Sequence, residues 1–505
     1  MFKAIKGGDF SYILLKHMQV YKKHFIFYYT CVAKKNNKCS VKFLEIKISG
    51  GNEMSKKVFL MFISIALSVV MVFSLFLTGC GGSQKEAASE QPAQKEPVAP
   101  AENTDKKGTV EVTYWYPHGN TVEQTALKKA IAQFNQENPD IVVNGEFVGG
   151  SGSGQGITDK LTVAISGGNP PDLVLFDRFM VGQWADGGLL EDLTALAASN
   201  GVQKDLFYEF AWNEASLNNK LYAYPFDTDN RALFYNKTMF RDAGLDPEKP
   251  PKTIDELEQY AQKLTKKEGN RYSVIGFIPW LSQGWLYTWG WAFGGQFQDT
   301  SSGKITANDP AIVKALEWKT AYAKKYGIEA VTNFATAAGG DINPFAAKMV
   351  AMMVSGPWEI SGFKANAPDL DYGVSPIPTP TGTNFNSWAG GWSHIVPKGS
   401  KNKDAAAKFG KFMTIGDGAK IYGEDTSHFM TYKAFNENFT WVKNEPKFKT
   451  FISLFPNSFS RPPIKKGQLL WDELATATDN ALHGKGEPKD LLTKVTEKVN
   501  KELGY

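Results

Sequence analysis

The sequence predicts an α/β fold in which helices cover a largely parallel sheet. Three strand candidates, "TVEVTYWYP", "DIVVNGEFV" and "PPDLVLFD", are short runs rich in β-branched and aromatic residues. Two helix candidates separate them, "VEQTALKKAIAQFNQENP" and "ITDKLTVAISGG", and the first has apolar residues at helical spacing. This alternation is typical of a parallel sheet, whose ligands bind beyond the carboxyl ends of the strands.

The later sequence continues the alternation. Residues 220–237 are predicted to be extended, and "KMVAMMVSG" is typical of a buried strand. Thr253 and Glu256 predict a capping box at the start of one helix, and Gly327 predicts the end of another. Two further helices are predicted near the carboxyl terminus, in "QLLWDELATATDNALHG" and "PKDLLTKVTEKVNKELG".

The segment before residue 109 predicts export and tethering. Residues 54–79 combine two lysines with a long apolar run, the layout of a lipoprotein signal peptide, although a retained transmembrane anchor is the alternative. The run ends in "LTGC", which looks like a bacterial lipobox and makes Cys80 the expected site of lipid attachment. Residues 80–108 are rich in Gln, Glu, Lys, Pro and Ala and predict a disordered tether.

Residues 1–53 are basic and aromatic. We hypothesise that translation starts at Met54, so that residues 1–53 are either not translated or disordered. A peptide from this region found in cells by mass spectrometry would refute the hypothesis. The lysines before residue 58 dominate the formal net charge of +4, and residues 80–505 carry −5, which argues against a nucleic-acid partner.

Motifs of catalysis and metal binding are missing from the sequence. It has no HExxH, no G-x-S-x-G and no P-loop, and every cysteine lies at or before position 80. The glycine-rich stretch 149–156 fits no phosphate-loop spacing and is predicted to be a surface loop. We therefore expect no metal, no cofactor and no enzyme activity, although Asp227 and Asp229 could in principle serve a glycosidase.

A set of motifs in a fixed order resembles the solute-binding proteins of bacterial ABC importers, especially family 1, the sugar-binding group that includes maltose-binding protein. After the lipobox, this set is "YWYPHG", "PPDLVLFDRF", "YAYPFDTDNRALFYNK", "PPKTIDELEQYAQKL", "AMMVSGPWEI" and "GGWSHIVPKGSKNKDAAAKF". The resemblance implies a type II periplasmic-binding-protein-like fold, with two discontinuous α/β lobes that are joined by a hinge and close over the ligand. By this resemblance, lobe one is residues 109–225 plus 381–430, and lobe two is 230–378 plus 435–505.

The resemblance also implies ligand-binding residues. Asp177 and Arg178 match a sugar-contacting pair, for which a structural ion pair is the alternative. Asp229 matches a ligand carboxylate, with a solvated hinge acid as the alternative. The other matched positions are His118, Gly119, Trp358 and Trp471, and packing in the core is the alternative for Trp471. The strand before "FDRF" lacks a tryptophan that maltose-binding protein has there, so the resemblance does not imply maltodextrin specificity.

Aromatic and basic residues near the expected cleft add further candidates. Trp392 follows two glycines that allow close backbone approach, and Arg461 could suit a phosphate or an acidic sugar. In "WLSQGWLYTWGWAFGG" we expect Trp285 and then Trp280 to face the ligand. Trp289 and Trp291 are expected to pack in the core.

The function that the resemblance implies is capture of a mono- or oligosaccharide and its delivery to the permease subunits of an ABC transporter. We expect a monomer that is lipid-anchored at the outer face of the bacterial cytoplasmic membrane. Two alternatives remain open at this point. One is a binding protein for glycerol 3-phosphate or a phosphodiester, and the other is a surface glycosidase or polysaccharide lyase.

Overall fold

A computed structural model of the 505-residue chain describes residues 11–20, 23–34, 38–43, 47–48, 108–149, 155–269, 271–336 and 343–505. The chain separates into two compact units, residues 1–102 and 103–505. In the first unit, the strands Ser11–Val20, Lys23–Lys34, Lys38–Phe43 and Lys47–Ile48 form an antiparallel sheet. The expected signal peptide, Cys80, almost all of the tether and most of the glycine-rich stretch lie outside the described residues.

The second unit contains a five-stranded sheet built mainly from the region in which the sequence predicts a parallel sheet. Ile141–Phe147 is at one edge of this sheet, and Val110–Tyr116 lies next to it. Val110–Tyr116 pairs in parallel with Ile141–Phe147 on one side and with Leu173–Asp177 on the other. Trp392–Ile395 pairs antiparallel with Leu173–Asp177 and Ala223–Pro225 completes the sheet. The predicted strand–helix alternation of residues 109–177 is confirmed.

A second five-stranded sheet follows later in the chain. Its spatial order is Lys266–Glu268, Arg271–Phe277, Val350–Ser355, Ala232–Asn236 and Tyr372–Ser375. Only Arg271–Phe277 and Val350–Ser355 pair in parallel, among the strand pairs described for this sheet. Every residue of Val350–Ser355 is buried, as the apolar run predicts, because neighbouring strands flank it and helices cover it.

The chain passes between the two sheets more than once. It leaves the first sheet after Ala223–Pro225 and enters the second at Ala232–Asn236, then returns between Tyr372–Ser375 and Trp392–Ile395. Short strand pairs stabilise these crossings: Asp227–Thr228 pairs with Phe429–Met430, and Ser387–Trp388 pairs with Ser458–Phe459. We call the part around the first sheet the first lobe and the part around the second sheet the second lobe.

Helices surround both sheets. Thr253 and Glu256 form the predicted capping box at the start of Ile254–Leu264, and Gly327, at φ 77°, ends Pro310–Tyr326 as predicted. No helix in the described residues is long and apolar enough to cross a membrane. In the part of the chain that the structure describes, the α-helices are Thr121–Glu137, Gln155–Ser166, Val181–Asp186, Thr194–Ser199, Glu209–Glu214, Lys237–Asp242, Ile254–Leu264, Leu286–Ala292, Pro310–Tyr326, Ile328–Thr336, Trp358–Asn366, Lys403–Ile415, Asp417–Thr426, Thr440–Asn444, Lys447–Leu454, Gly467–Leu482 and Pro488–Leu503.

The region around residues 440–454, which is predicted to belong to lobe two, contacts both lobes. Trp441 donates through Nε1 to the carbonyl of Gly423, in a helix of the first lobe. A few residues on, Phe451 lies 6.0 Å between ring centroids from Phe234, in a strand of the second sheet. This aromatic segment therefore packs on both lobes.

Candidate functional site

Asp177 stands at the carboxyl end of a parallel strand, where a ligand of the first sheet is expected. Its Oδ1 accepts from the backbone N–H of Phe179 at 3.0 Å, which fixes the carboxylate at the start of the following turn. The side chain is 32% exposed and lies 3.4 Å from the Nη2 of Arg461. Asp177 thus presents a partly solvated acceptor at the first lobe, in the position that the sequence predicts.

Arg178 occupies a different environment from the one expected of a ligand contact. Its side chain is fully buried, and its Nε donates to Glu214 at 3.0 Å. The rest of the guanidinium donates to the backbone carbonyls of Asp227, Gly390 and Trp392. These contacts connect the strand end to the crossing segments, so direct ligand contact by Arg178 is not supported and the structural alternative is favoured.

Arg461 links several of these groups. Besides Asp177, its Nε lies 3.5 Å from a buried carboxylate oxygen of Glu214, and its guanidinium stacks 4.1 Å above the ring of Phe179. Burial raises the pKa of Glu214, while Arg461 and Arg178 oppose that shift. With a side chain only 9% exposed and two acidic partners, Arg461 has little free positive charge to offer a ligand.

Aromatic rings from the second lobe and a crossing segment gather beside Arg461. The ring of Trp471 lies 4.9 Å from Trp285, 6.0 Å from Tyr287 and 5.9 Å from Trp388, measured between centroids. Trp285 is 40% exposed, and Trp471 is half-buried. We call Trp285, Tyr287, Trp388 and Trp471 the aromatic cluster. Tyr287 and Trp388 are buried in it, whereas Trp285 and Trp471 offer flat surfaces of the kind that pack against sugar rings.

A second arginine joins the cluster to another predicted residue. Arg231 stacks 4.1 Å above the ring of Trp388 and lies 5.5 Å from that of Trp358. It forms an ion pair with Asp229, whose Oδ1 also accepts from the backbone N–H of Gly390 at 2.9 Å. Asp229 remains 23% exposed and Trp358 39% exposed, so both still present surface to solvent.

His118 and Trp392 form a separate group at the first lobe. The two rings meet edge to face with centroids 4.7 Å apart, and His118 Nδ1 lies 3.0 Å from the hydroxyl of Tyr422. Burial lowers the pKa of His118 to about 3, so its imidazole is neutral at pH 7. Trp392 is half-buried, and Gly119 is exposed with the ring of Phe147 close to it.

In the tryptophan-rich segment, the two residues that are predicted to pack in the core are buried. Trp289 and Trp291 are buried in the helix Leu286–Ala292, whereas Trp285 is the residue immediately before that helix. Trp289 donates through Nε1 to the carbonyl of Pro279 at 2.7 Å. Trp280 is half-buried and donates to the hydroxyl of Thr332 at 3.3 Å.

The glycines before Trp392 are needed for close approach of two backbones. Gly391 has φ 129°, and a Cβ there would lie 2.4 Å from the carbonyl oxygen of Asp227. Burial raises the pKa of Asp227 to about 7, and its Oδ1 accepts from the N–H of Trp392. The two crossing segments, one with Asp227 and the other with Gly391 and Trp392, are therefore in close backbone contact.

The sequence of this chain matches a known protein family. The sequence matches the family described as bacterial extracellular solute-binding protein over residues 118–415. The chain belongs to that family. The family is named for binding solutes. Among the residues that the structure describes, no group of three or more His, Cys, Asp or Glu could hold a metal ion.

Some relatives of this family member are named for a saccharide, or have been solved with one bound. A maltooligosaccharide ABC transporter solute-binding lipoprotein of Streptococcus pneumoniae serotype 4 is 26% identical over 370 residues, which are 70% of this chain and 82% of that protein. A putative binding protein of Brucella abortus is 28% identical over 74% of this chain and 88% of its own length. The solved structure of CpMnBP1 with mannotriose bound is 29% identical, with a TM-score of 0.67, covering 77% of this chain and 99% of that one. These likenesses confirm the predicted two-lobed fold with discontinuous lobes.

The sequence did not single out several residues that the fold brings to the site of this solute-binding protein. Arg231 and Gln283, which accepts from the Arg231 Nε at 3.2 Å, were not predicted. Phe179 and Glu214, which surround Arg461, were not predicted either. The one available signal was the position of Arg231 beside Asp229 in "FDTDNR", since an arginine near an acid in a crossing segment often forms an ion pair.

Proposed function

We propose that this chain is the substrate-binding component of an ABC importer and that it binds a mono- or oligosaccharide between its two lobes. The observation that carries the proposal is the grouping of exposed Trp285 and Trp358 rings with the partly exposed carboxylates of Asp177 and Asp229. Flat rings pack on the C–H faces of sugars, and carboxylates accept hydrogen bonds from their hydroxyls. Oligosaccharide names among the relatives support the same ligand class.

A phosphate ligand is less favoured by the contacts of the arginines. Arg461 is held by Asp177 and Glu214, and Arg231 by Asp229 and Gln283. An anion would have to compete with carboxylates that already neutralise these cations. A neutral, hydroxyl-rich ligand does not have to compete with these carboxylates for the arginines.

Glycosidase chemistry is also less favoured. Asp227 is 2% exposed and accepts from the backbone N–H of Trp392, while Asp229 is paired with Arg231. A hydrolase needs two carboxylates that both reach the scissile bond. The buried Asp227 does not reach a ligand surface.

Isothermal titration calorimetry on the purified protein tests the proposal. The titrants are manno-oligosaccharides and malto-oligosaccharides of two to four units, together with glycerol 3-phosphate. We expect a saccharide to bind and to be recovered intact by chromatography after long incubation. Binding of glycerol 3-phosphate alone would contradict the carbohydrate assignment, and cleavage of the sugar would show an enzyme.

We further propose that Cys80 carries the lipid that anchors this protein at the outer face of the cytoplasmic membrane, where it meets the permease as a monomer. The "LTGC" motif and the lipoprotein name of the pneumococcal relative support this location. Cys80→Ser is expected to move the protein from the membrane fraction to the medium and to remove the acyl mass from its N-terminus. An unchanged membrane fraction would contradict the anchor.

A further inference from the structure

Glu359 is the second residue of the helix Trp358–Asn366 and accepts hydrogen bonds from two other segments. Its Oε1 accepts from the hydroxyl of Ser355 at 2.9 Å, and its Oε2 accepts from Nδ2 of Asn343 at 2.9 Å. The side chain is half-buried, and burial raises its pKa, whereas these hydrogen bonds oppose that shift. The carboxylate therefore joins the end of the strand Val350–Ser355 to the segment that precedes this strand.

A further hydrogen bond continues from Ser355 to the tryptophan-rich segment. The hydroxyl oxygens of Ser355 and Ser282 lie 3.1 Å apart. An ionised carboxylate only accepts, so Ser355 donates to Glu359, and the oxygen of Ser355 is left to accept from Ser282. Ser282 has φ 53° in the loop that leads to Trp285, a backbone conformation that costs energy for a residue with a side chain. Glu359 thus sets the direction of a hydrogen bond that holds this loop.

The ring of Trp358 lies close to the backbone just before Glu359. A Cβ at Gly356 would lie 2.0 Å from a carbon of this ring, so the ring has room only because residue 356 is a glycine. Trp358 is 39% exposed, and Trp285 is 40% exposed. Both rings that the proposed function assigns to the ligand therefore adjoin segments that the hydrogen bonds of Glu359 connect.

We propose that Glu359 is a positioning residue, which holds Trp358 and the loop before Trp285 in the arrangement in which both rings meet a saccharide. The inference rests on the proposed function and adds a residue that acts on the ligand through the two rings. Hydrogen bonds to an ionised acceptor are stronger than those between neutral groups, so one carboxylate can hold Ser282 and Ser355, which are 73 positions apart.

The position of Glu359 in its helix has a separate effect. A negative charge in the first turn stabilises a helix through the helix dipole, and Glu359 lies in that turn. This stabilisation does not depend on either tryptophan ring. A test of positioning therefore has to follow the two rings, and a measurement of stability alone is not enough.

Glu258 provides a matched control in the second lobe. Its Oε1 accepts from Nε1 of Trp318 at 2.8 Å, and its side chain is 33% exposed. Trp318 belongs neither to the aromatic cluster nor to the residues that are expected to bind the ligand. Removal of the Glu258 carboxylate should therefore disturb one tryptophan ring without disturbing the candidate site.

Fluorine NMR of the full-length protein, labelled with 5-fluorotryptophan and free of saccharide, tests the positioning. Trp285→Phe, Trp358→Phe and Trp318→Phe assign the three resonances. Glu359→Ala should shift or broaden the resonances of Trp285 and Trp358 and leave that of Trp318 unchanged. Glu258→Ala should do the reverse. Glu359→Gln keeps the size of the side chain and one acceptor oxygen, so it should give smaller changes at the same two rings, and it serves if the alanine variant does not fold.

Calorimetry with the manno- or malto-oligosaccharide that the wild-type protein binds best completes the test. Glu359→Ala should weaken binding roughly five- to ten-fold, and Glu258→Ala should stay within about two-fold of wild type. Unchanged resonances of Trp285 and Trp358 in Glu359→Ala would overturn the inference even if affinity falls, because Glu359 would then act by another route while the proposed function stands. Displaced resonances with unchanged affinity would overturn it as well. Wild-type protein that binds no saccharide would contradict the proposed function, whereas the resonances would still decide whether Glu359 holds the two rings.

Discussion

Trp285 and Trp289 lie four residues apart in the same tryptophan-rich segment and have opposite surroundings. Trp285 is 40% exposed beside Trp471, whereas Trp289 is fully buried with its Nε1 bonded to a backbone carbonyl. The same residue type is thus partly exposed at one position and packed in the core at the other. Spacing along the chain did not predict this division, since residues four apart share one face of a helix; it arises because Trp285 lies just before the helix that contains Trp289.

Trp285→Ala is expected to lower saccharide affinity by roughly ten-fold or more, since exposed aromatic anchors carry much of a binding energy. Its effect on the free energy of unfolding should stay below about 1 kcal/mol because the ring is partly solvated. Trp289→Ala is the matched control and should cost about 3–5 kcal/mol of stability through the cavity that it leaves. Calorimetry and urea unfolding measure both, and the reverse pattern would assign Trp285 to the core.

Asp227 gives a pH dependence of known sign. Burial raises its pKa to about 7 from an ordinary value near 3.8, so the folded state binds a proton that the unfolded state releases. Its contribution to stability is therefore full below about pH 4 and is lost as the pH rises towards 7. Asp227→Asn keeps the acceptor for the Trp392 N–H and removes the titration.

We expect the stability of Asp227→Asn relative to wild type to increase between pH 4 and pH 7 and to level off above pH 7. Thermal or urea unfolding of both proteins across this range provides the measurement. A difference that stays constant with pH would mean that Asp227 remains ionised in the folded protein, as an ordinary carboxylate does.

Residue identities at the site were easier to predict than residue roles. Asp177, Asp229, Trp285 and Trp471 are exposed or partly exposed at the site. Arg178 lies at the predicted strand end, and its partners come from Glu214 and from crossing segments far along the chain, as the alternative of a structural ion pair favours. Such partners are set by tertiary packing, and local sequence does not contain them.

At the scale of elements, the start of the helix Ile254–Leu264 could be predicted from neighbouring residues alone. The Thr253 hydroxyl accepts from the N–H of Glu256 at 3.0 Å, and the Glu256 carboxylate accepts from the N–H of Thr253 at 3.1 Å. Both groups lie within four residues, so the motif could be predicted from sequence alone. Strand pairing between Trp392–Ile395 and Leu173–Asp177 joins residues more than 200 positions apart and could not be predicted from local pattern.

Thr253→Ala should lower the free energy of unfolding by about 0.5–2 kcal/mol because the helix loses its cap. Thr253→Ser retains the hydroxyl and is the control, expected to stay close to wild type. Urea unfolding followed by circular dichroism compares the two. Equal losses in both variants would show that the threonine methyl group, and not the cap, stabilises this helix.

At the scale of the whole molecule, several contacts connect the two lobes across the lobe boundaries that were predicted from the sequence. Arg461 pairs with Asp177 of the first lobe, and the segment around Trp441 and Phe451 packs on both lobes. The resemblance predicted the discontinuous two-lobed fold because ordered motifs report topology. It could not predict where each crossing segment packs, since that depends on how the buried rings fill the space between lobes.

We propose that a saccharide binds between the lobes at the aromatic cluster. A crystal structure of the protein with the saccharide that binds best in calorimetry tests it most directly. We expect a sugar ring in van der Waals contact with Trp285 or Trp471 of the second lobe and a sugar hydroxyl bonded to Asp177 of the first. A saccharide that touches only one lobe, or that lies away from the aromatic cluster, would contradict the account.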